Sequence, residues 1–157
     1  MNQLEMHIDI IVVKTIANDM RRCLESLPKS ELGIAMGNFP KGACGDTSLL
    51  LGAYLSECGF PNFNYIFGER GSQLDSSWTS HAWLAHNDLI VDITADQFVD
   101  MTDPVIVTKY SKWHQQFNTE DLGIADFRQW TGIGTHHLYQ IYTKLKPLMN
   151  LNPSINI

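Results

Sequence analysis

Two short apolar runs joined by a polar turn constrain this chain more than any other segment. The runs span residues 82–86 and 89–93, and Asn87 and Asp88 are the only residues between them. A two-residue polar connection between apolar runs predicts a β-hairpin, although Asn-Asp is a weaker turn signal than Asn-Gly. Residue 86 is then paired with residue 89, which sets the register of the whole hairpin.

This register places an imidazole and a carboxylate on the same face of the hairpin. Trp83 lies opposite Asp92 and His81 lies opposite Thr94, so their side chains point the same way. His81 and Asp92 are then diagonal neighbours whose side chains can meet. Because a carboxylate inside an apolar run is costly without a partner, we expect Asp92 to orient His81. Asp96, on the same alternating face, is the alternative acid, and a hairpin with a surface histidine and aspartate is the alternative interpretation.

A cysteine occurs where a glycine-bearing loop enters an apolar helix. The pattern predicts a helix over residues 43–57, with Cys44 at its start and three leucines at its centre. The positive end of the helix dipole and the free backbone N–H groups there favour the thiolate. Gly42 and Gly45 leave room for a substrate carbonyl to approach. Cys44 is therefore a candidate nucleophile, and the alternative is a small buried core residue.

The other two cysteines have positions that do not activate a thiol. Cys23 lies on the apolar stripe of a helix predicted over residues 7–27, and Cys58 lies at the opposite end of the Cys44 helix. We expect both to belong to the core. An odd number of cysteines without a CxxC pair argues against a disulfide framework and against a structural zinc site. The expected location is a reducing compartment such as the cytoplasm, and secretion as an effector stays open.

Three motifs in this order resemble the transglutaminase-like superfamily of papain-like cysteine enzymes. They are Gly42-x-Cys44 at a helix start, His81-Ala82-Trp83, and Asp92-x-Thr94. The resemblance covers residues 39–98. It implies an α+β fold in which the Cys-bearing helix packs on an antiparallel sheet carrying the His and the Asp, flanked by N- and C-terminal helices. We expect a single domain of this kind over residues 1–157, with Cys44, His81 and Asp92 as its catalytic triad.

The resemblance also implies a class of reaction. Such a triad acts on an amide or isopeptide bond through a thioester on Cys44. We expect hydrolysis, as in a peptidase, amidase or deamidase, with a protein or peptide as substrate and with no cofactor. Transglutaminase-type transfer to an amine is one alternative, and a non-catalytic protein-binding module on the same fold is another. Calcium-dependent cross-linking is disfavoured, because the chain is short and has no obvious acidic calcium loop.

Several residues near the motifs are candidate substrate contacts. Asn38, a few residues before the cysteine, is a weak candidate for a second oxyanion donor. Trp78 lies in a polar loop predicted over residues 69–80, where it would line a cleft or anchor the loop. The remaining candidates, which lie within the motifs themselves, are Gly42, Gly45 and Trp83.

Charge and apolar patterning exclude several partners. The chain has 11 Lys and Arg against 17 Asp and Glu, a net charge of −6, so it lacks the broad positive surface that nucleic-acid binding requires. No run approaches the roughly 20 apolar residues of a membrane span. We expect no metal site, because the remaining histidines lack a metal-binding spacing; those considered are His86, His114, His136 and His137. The oligomeric state stays unknown.

The rest of the chain carries weaker signals for secondary structure. Strands are predicted over residues 64–67 and 105–110, and a short helix over residues 121–130. A second apolar stripe at helical spacing runs from residue 138 to residue 148, with Thr135 as its candidate cap.

Overall fold

A computed structural model describes residues 7–150, which form an α+β fold with four α-helices and one antiparallel sheet. The helices are α1 Ile10–Ser26, α2 Gly33–Met36, α3 Cys44–Glu57 and α4 His136–Leu145. The strands are β1 Asn64–Arg70, β2 Thr79–His86, β3 Leu89–Asp92, β4 Ile106–Thr108 and β5 Asn118–Ile124. The sheet order is β4-β3-β2-β1-β5, and every neighbouring pair is antiparallel.

Helix α1 confirms the helix predicted for the N-terminal part of the chain. The Asp9 carboxylate caps it by accepting the backbone N–H groups of Ile11 and Val12, at 3.0 and 3.2 Å. Its apolar stripe, which includes Cys23, is buried against the rest of the core. Cys23 is therefore a core residue, as predicted. Length and hydropathy rule out a membrane-spanning helix within the described residues.

Helix α3 is the central helix and begins at Cys44, within a residue of the predicted start. Residues 47–55 are all buried, so the helix has apolar neighbours on every side. Gly52 allows the backbone of Ala125 to approach the helix closely, because a Cβ at position 52 would lie 1.8 Å from the carbonyl oxygen of Ala125. The sheet and the helices therefore hold the first turn of α3, and Cys44 with it, in a fixed place.

The predicted hairpin is confirmed, with its turn at Asn87-Asp88. His86 pairs with Leu89, and the ladder continues through Leu84 and Val91. Leu84 and Val91 pack into the main core with the helices. Trp83 belongs to a second, aromatic cluster together with residues from after the hairpin. The hairpin thus separates two packed regions, and the candidate histidine and aspartate contact the aromatic one.

The structure corrects the prediction of a short helix over residues 121–130. Residues 118–124 form β5, an edge strand paired with β1, and a 3-10 turn follows at Phe127–Gln129. Six of the seven β5 residues are exposed, so the strand has no alternation of apolar and polar side chains to reveal it. Its acidic residues, Glu120 and Asp121, discourage pairing of this edge with another chain.

Other details also differ from the predictions: β1 continues to Arg70 instead of ending at residue 67, and β4 covers Ile106–Thr108 instead of residues 105–110. The polar loop is shorter than residues 69–80, because β1 and β2 extend until Arg70 pairs with Thr79. Thr135 is the N-cap residue of α4, but its hydroxyl donates to the carbonyl of Gly132 rather than accepting from the helix.

Candidate active site

A buried carboxylate at the end of β3 organises the candidate site. The Nε2 atom of His81, on β2, lies 2.7 Å from Oδ2 of Asp92. His81 is 0% exposed and Asp92 is 2% exposed. The hairpin register explains this contact, since it makes the two residues diagonal neighbours on one face.

Asp92 has three further interactions, all from the polypeptide that follows it. His114 Nε2 lies 2.7 Å from the same Oδ2 atom, and Ser111 Oγ lies 2.6 Å from Nδ1 of His114. The backbone N–H of Thr94 donates to Oδ1 at 3.0 Å, and the Thr94 hydroxyl lies 3.5 Å from Oδ1. Burial opposes ionisation of Asp92, but the charge of His81 and the hydrogen bonds from His114 and His81 hold its pKa well below the usual range.

These hydrogen bonds determine which ring nitrogens carry protons. A carboxylate only accepts, so His81 and His114 must each present Nε2–H to Asp92. His81 Nδ1 then remains as the free acid–base nitrogen. It is buried and has no hydrogen-bond partner among residues 7–150. A buried nitrogen that is unpaired in this way is costly, by about 1–3 kcal/mol.

Cys44, on the helix that packs against β2, is a neighbour of His81. Burial lowers the pKa of His81, but the charge and hydrogen bond of Asp92 and the nearby Cys44 thiol together raise it to about 9. The thiol is close enough to contribute to this rise, yet no hydrogen bond of suitable length and angle joins it to Nδ1. Cys44 is half-buried, and among residues 7–150 no side chain caps the first turn of its helix. The backbone N–H groups of that turn are therefore free to bind a developing negative charge.

Aromatic side chains surround the His81 ring. The centroids of four rings lie 5.1 to 6.2 Å from its own, and these belong to Trp83, Phe98, Trp113 and Phe117. They keep water away from the His81–Asp92 pair, which strengthens the attraction between its charges. Trp83 is itself only 3% exposed, which argues against its predicted role as a substrate contact.

Comparison of the chain with protein-family models, with curated proteins and with solved structures gives no match. Any functional assignment therefore depends on the geometry around Cys44, His81 and Asp92.

The structure separates Asp92 from Asp96, the alternative orienting acid. Both carboxylate oxygens of Asp96 bind the Arg21 guanidinium, at 2.6 and 2.8 Å. The same guanidinium donates to the carbonyl of Ile93 at 2.8 Å. Asp96 thus ties the segment after β3 to α1, while Asp92 is the carboxylate that contacts His81.

The other four candidate substrate contacts differ in exposure and in the residues that they contact. Gly42 has a φ of +70°, a conformation that favours glycine, and its N–H donates to Oε1 of Gln97 at 3.2 Å. Gly45 lies under the hydroxyl of Tyr65, which occupies part of the space expected for substrate. Asn38 is exposed, and Trp78 is 40% exposed in the loop before β2.

Sequence reasoning missed His114 as a member of this site. It lies 22 residues beyond Asp92, in the 3-10 turn His114–Gln116, and no local pattern links it to the hairpin. His81, Asp92 and His114 have ligand atoms within 4.8 Å of one another and could in principle hold a metal ion. However, both nitrogens lie 2.7 Å from one oxygen, which is a charge-assisted hydrogen-bond length, so a metal would have to break both bonds. The arrangement fits a hydrogen-bonded cluster better than a metal centre.

Proposed function

We propose that this chain is a cysteine-dependent acyl-transfer enzyme with a transglutaminase-like, papain-like fold. Cys44 is the nucleophile, His81 transfers the proton, and Asp92 positions His81. One observation supports the proposal: His81 is buried with Nε2 bound to Asp92 and Nδ1 unpaired, and the Cys44 thiol is close enough to help raise the His81 pKa. Nucleophile, base and orienting acid thus occur together on rigid elements.

The reaction follows from these positions. In the reactive form the Cys44 proton resides on His81 Nδ1, so that His81 is an imidazolium, and the Cys44 thiolate adds to the carbonyl carbon of an amide. The tetrahedral intermediate collapses when the C–N bond breaks, and the imidazolium returns its proton to the leaving amine. A thioester remains on Cys44. Water then attacks it, with His81 taking a proton from the water and giving it to the sulfur, so that a carboxylic acid and the free thiol are formed.

Hydrolysis of a protein or peptide amide is the outcome we propose. Transfer of the acyl group to an amine uses the same thioester and is the alternative outcome for the same residues. A protein-binding module is less well supported, because binding alone would not require an unpaired imidazole nitrogen to be buried beside a thiol. Because the reaction needs a free thiol, we place it in a reducing compartment such as the cytoplasm.

Alkylation tests the nucleophile directly. Iodoacetamide at neutral pH should modify Cys44 much faster than the other two thiols, because burial raises the pKa of both Cys23 and Cys58. In His81→Gln, the rate at Cys44 should fall by at least tenfold. Peptide mass spectrometry resolves the three sites. Equal rates at all three cysteines, or a Cys44 rate unaffected by His81→Gln, would overturn the proposal.

Acyl transfer is tested with 4-nitrophenyl acetate, a small activated ester that needs no specific recognition. We expect a burst of nitrophenolate, together with an acetyl group on Cys44 detected by intact and peptide mass. Cys44→Ala should abolish both signals, while Cys58→Ala serves as the matched control and should retain them. Adding a primary amine then separates the two outcomes, since acetate as the product indicates hydrolysis and the acetylated amine indicates transfer.

A further inference from the structure

The hydroxyl group of Tyr65 lies over the first turn of α3. Tyr65 is on β1, next to the strand that carries His81, and its ring packs on Trp130 with centroids 4.9 Å apart. A Cβ at Gly45 would be 2.8 Å from the Tyr65 oxygen. The hydroxyl therefore sits against the residue that follows Cys44, and only glycine at position 45 leaves it there undisturbed.

This hydroxyl is available as a donor. Tyr65 forms no side-chain hydrogen bond within residues 7–150, and its oxygen is not sealed from solvent. Burial, and then the nearby Cys44 and Asp46, raise the pKa of Tyr65 to about 12. The phenol consequently stays protonated over the pH range in which the enzyme would act, and it can donate to an anion.

The other side chains near the Cys44 loop are less suitable as donors. The Gln97 amide is already engaged, because its oxygen accepts the Gly42 N–H and its nitrogen donates to the carbonyl of Thr94. Asn38 lies on the exposed turn before the helix, and no hydrogen bond within residues 7–150 fixes the direction of its side-chain amide. Gln97 thus positions the loop, whereas the Tyr65 hydroxyl lies beside the first turn and has no hydrogen-bond partner among residues 7–150.

We propose that the Tyr65 hydroxyl is the second donor of the oxyanion hole, alongside the backbone N–H of Cys44. This inference rests on the proposed function. When the Cys44 thiolate adds to the carbonyl carbon, the electron pair of the C=O bond moves onto oxygen. Tyr65 donates a hydrogen bond to that oxyanion and keeps its proton. When the leaving amine departs, the C=O bond re-forms and the hydrogen bond weakens.

Two reactions of the Cys44 thiol distinguish an oxyanion donor from a residue that acts on the thiolate or on folding. Acylation by 4-nitrophenyl acetate passes through an oxyanion, whereas alkylation by iodoacetamide does not. Tyr65→Phe removes only the hydroxyl and keeps the ring against Trp130. We expect it to slow acylation by about 10²-fold, in line with the loss of one oxyanion donor, and to leave alkylation within about twofold of wild type. Tyr139→Phe, at an exposed position on α4, is the control and should change neither rate.

The outcomes distinguish the two proposals. If alkylation is selective for Cys44 and depends on His81, but Tyr65→Phe acylates at the wild-type rate, the role of Tyr65 is overturned and the proposed function stands. If Tyr65→Phe slows both reactions equally, the hydroxyl acts on the thiolate or on folding, which also overturns the oxyanion role. If wild-type alkylation is neither selective nor dependent on His81, the proposed function itself fails. A thermal unfolding midpoint unchanged by Tyr65→Phe shows that the rates compare folded proteins.

Discussion

His81 and His114 donate to the same oxygen atom of Asp92, each at 2.7 Å. One carboxylate oxygen therefore accepts hydrogen bonds from two imidazoles. The Ser111 hydroxyl in turn hydrogen-bonds to Nδ1 of His114. Only His81 has a nitrogen left free, so the two histidines have different roles. In the proposed mechanism His81 exchanges a proton with Cys44, while His114 is expected to position Asp92.

Replacing His114 should weaken the site without removing its chemistry. In His114→Ala, Asp92 loses one of its charge-assisted hydrogen bonds in a buried place, which should destabilise the fold by about 1–3 kcal/mol. Alkylation of Cys44 should slow less than in His81→Gln, and its pH profile should shift because Asp92 then holds His81 less firmly. Urea denaturation and the pH dependence of iodoacetamide labelling measure the two effects. Ser111→Ala is the milder control, and a His114→Ala variant with a wild-type pH profile would contradict the positioning role.

The two candidate acids should respond differently to the same substitution. Asp92→Asn removes the charge that offsets the burial of His81, so the pKa of His81 should fall from about 9 to below its ordinary value of 6.5. Acylation of Cys44 should drop by about 10²–10⁴-fold. Asp96→Asn is the matched control. It should weaken the salt bridge to Arg21 and lower the stability of the fold, but leave the pKa of His81 unchanged. Ring-proton NMR titration follows the pKa. A fall of the His81 pKa in Asp96→Asn alone would reverse the assignment.

The stability of the protein should decrease between about pH 6.5 and pH 9. The folded state raises the pKa of His81 from 6.5 to about 9, so protonated His81 stabilises the fold below pH 6.5 and this contribution disappears as pH rises through 9. At about 1.36 kcal/mol per pKa unit, the loss is about 3 kcal/mol. Urea denaturation at a series of pH values measures it.

The comparison that isolates this effect is His81→Gln. Burial also raises the pKa values of Cys23 and Cys58, which favours unfolding at high pH in both proteins, so the difference between the two stability curves belongs to His81. Parallel curves for wild type and His81→Gln would show that the buried ion pair does not form.

Gly45 and Tyr65 should show coupled effects on stability. Gly45→Ala places a methyl group 2.8 Å from the Tyr65 hydroxyl, so the ring must shift and the helical advantage of alanine is lost. In Tyr65→Phe the nearest ring atom would be 3.8 Å away, and alanine should then stabilise α3 by about 0.5–1 kcal/mol. A double-mutant cycle on urea denaturation measures the coupling. Additive free energies would show that the hydroxyl does not lie against Gly45.

Local sequence patterns were sufficient to predict those parts of the fold that depend on residues close together in the chain. The start of α3 at Cys44 follows from the glycines before it and the apolar run after it. The contact of His81 with Asp92 follows from a two-residue turn and the two-residue period of a strand. The helix predicted over residues 121–130 is wrong because the exposed residues of β5 carry no periodic burial, and the pairing of β5 with β1 depends on residues 49 to 60 positions away.

The sequence by itself determined the candidate trio and its order, because helix dipole, turn length and strand alternation act over short distances along the chain. Tertiary structure alone decided the rest of the site. It brought His114 to Asp92, paired Asp96 with Arg21, buried Trp83 among aromatic rings, and placed the Tyr65 hydroxyl over Gly45. Each of these contacts joins segments whose separation along the chain carries no periodic signal, so packing of the sheet against α1 and α3 selects them.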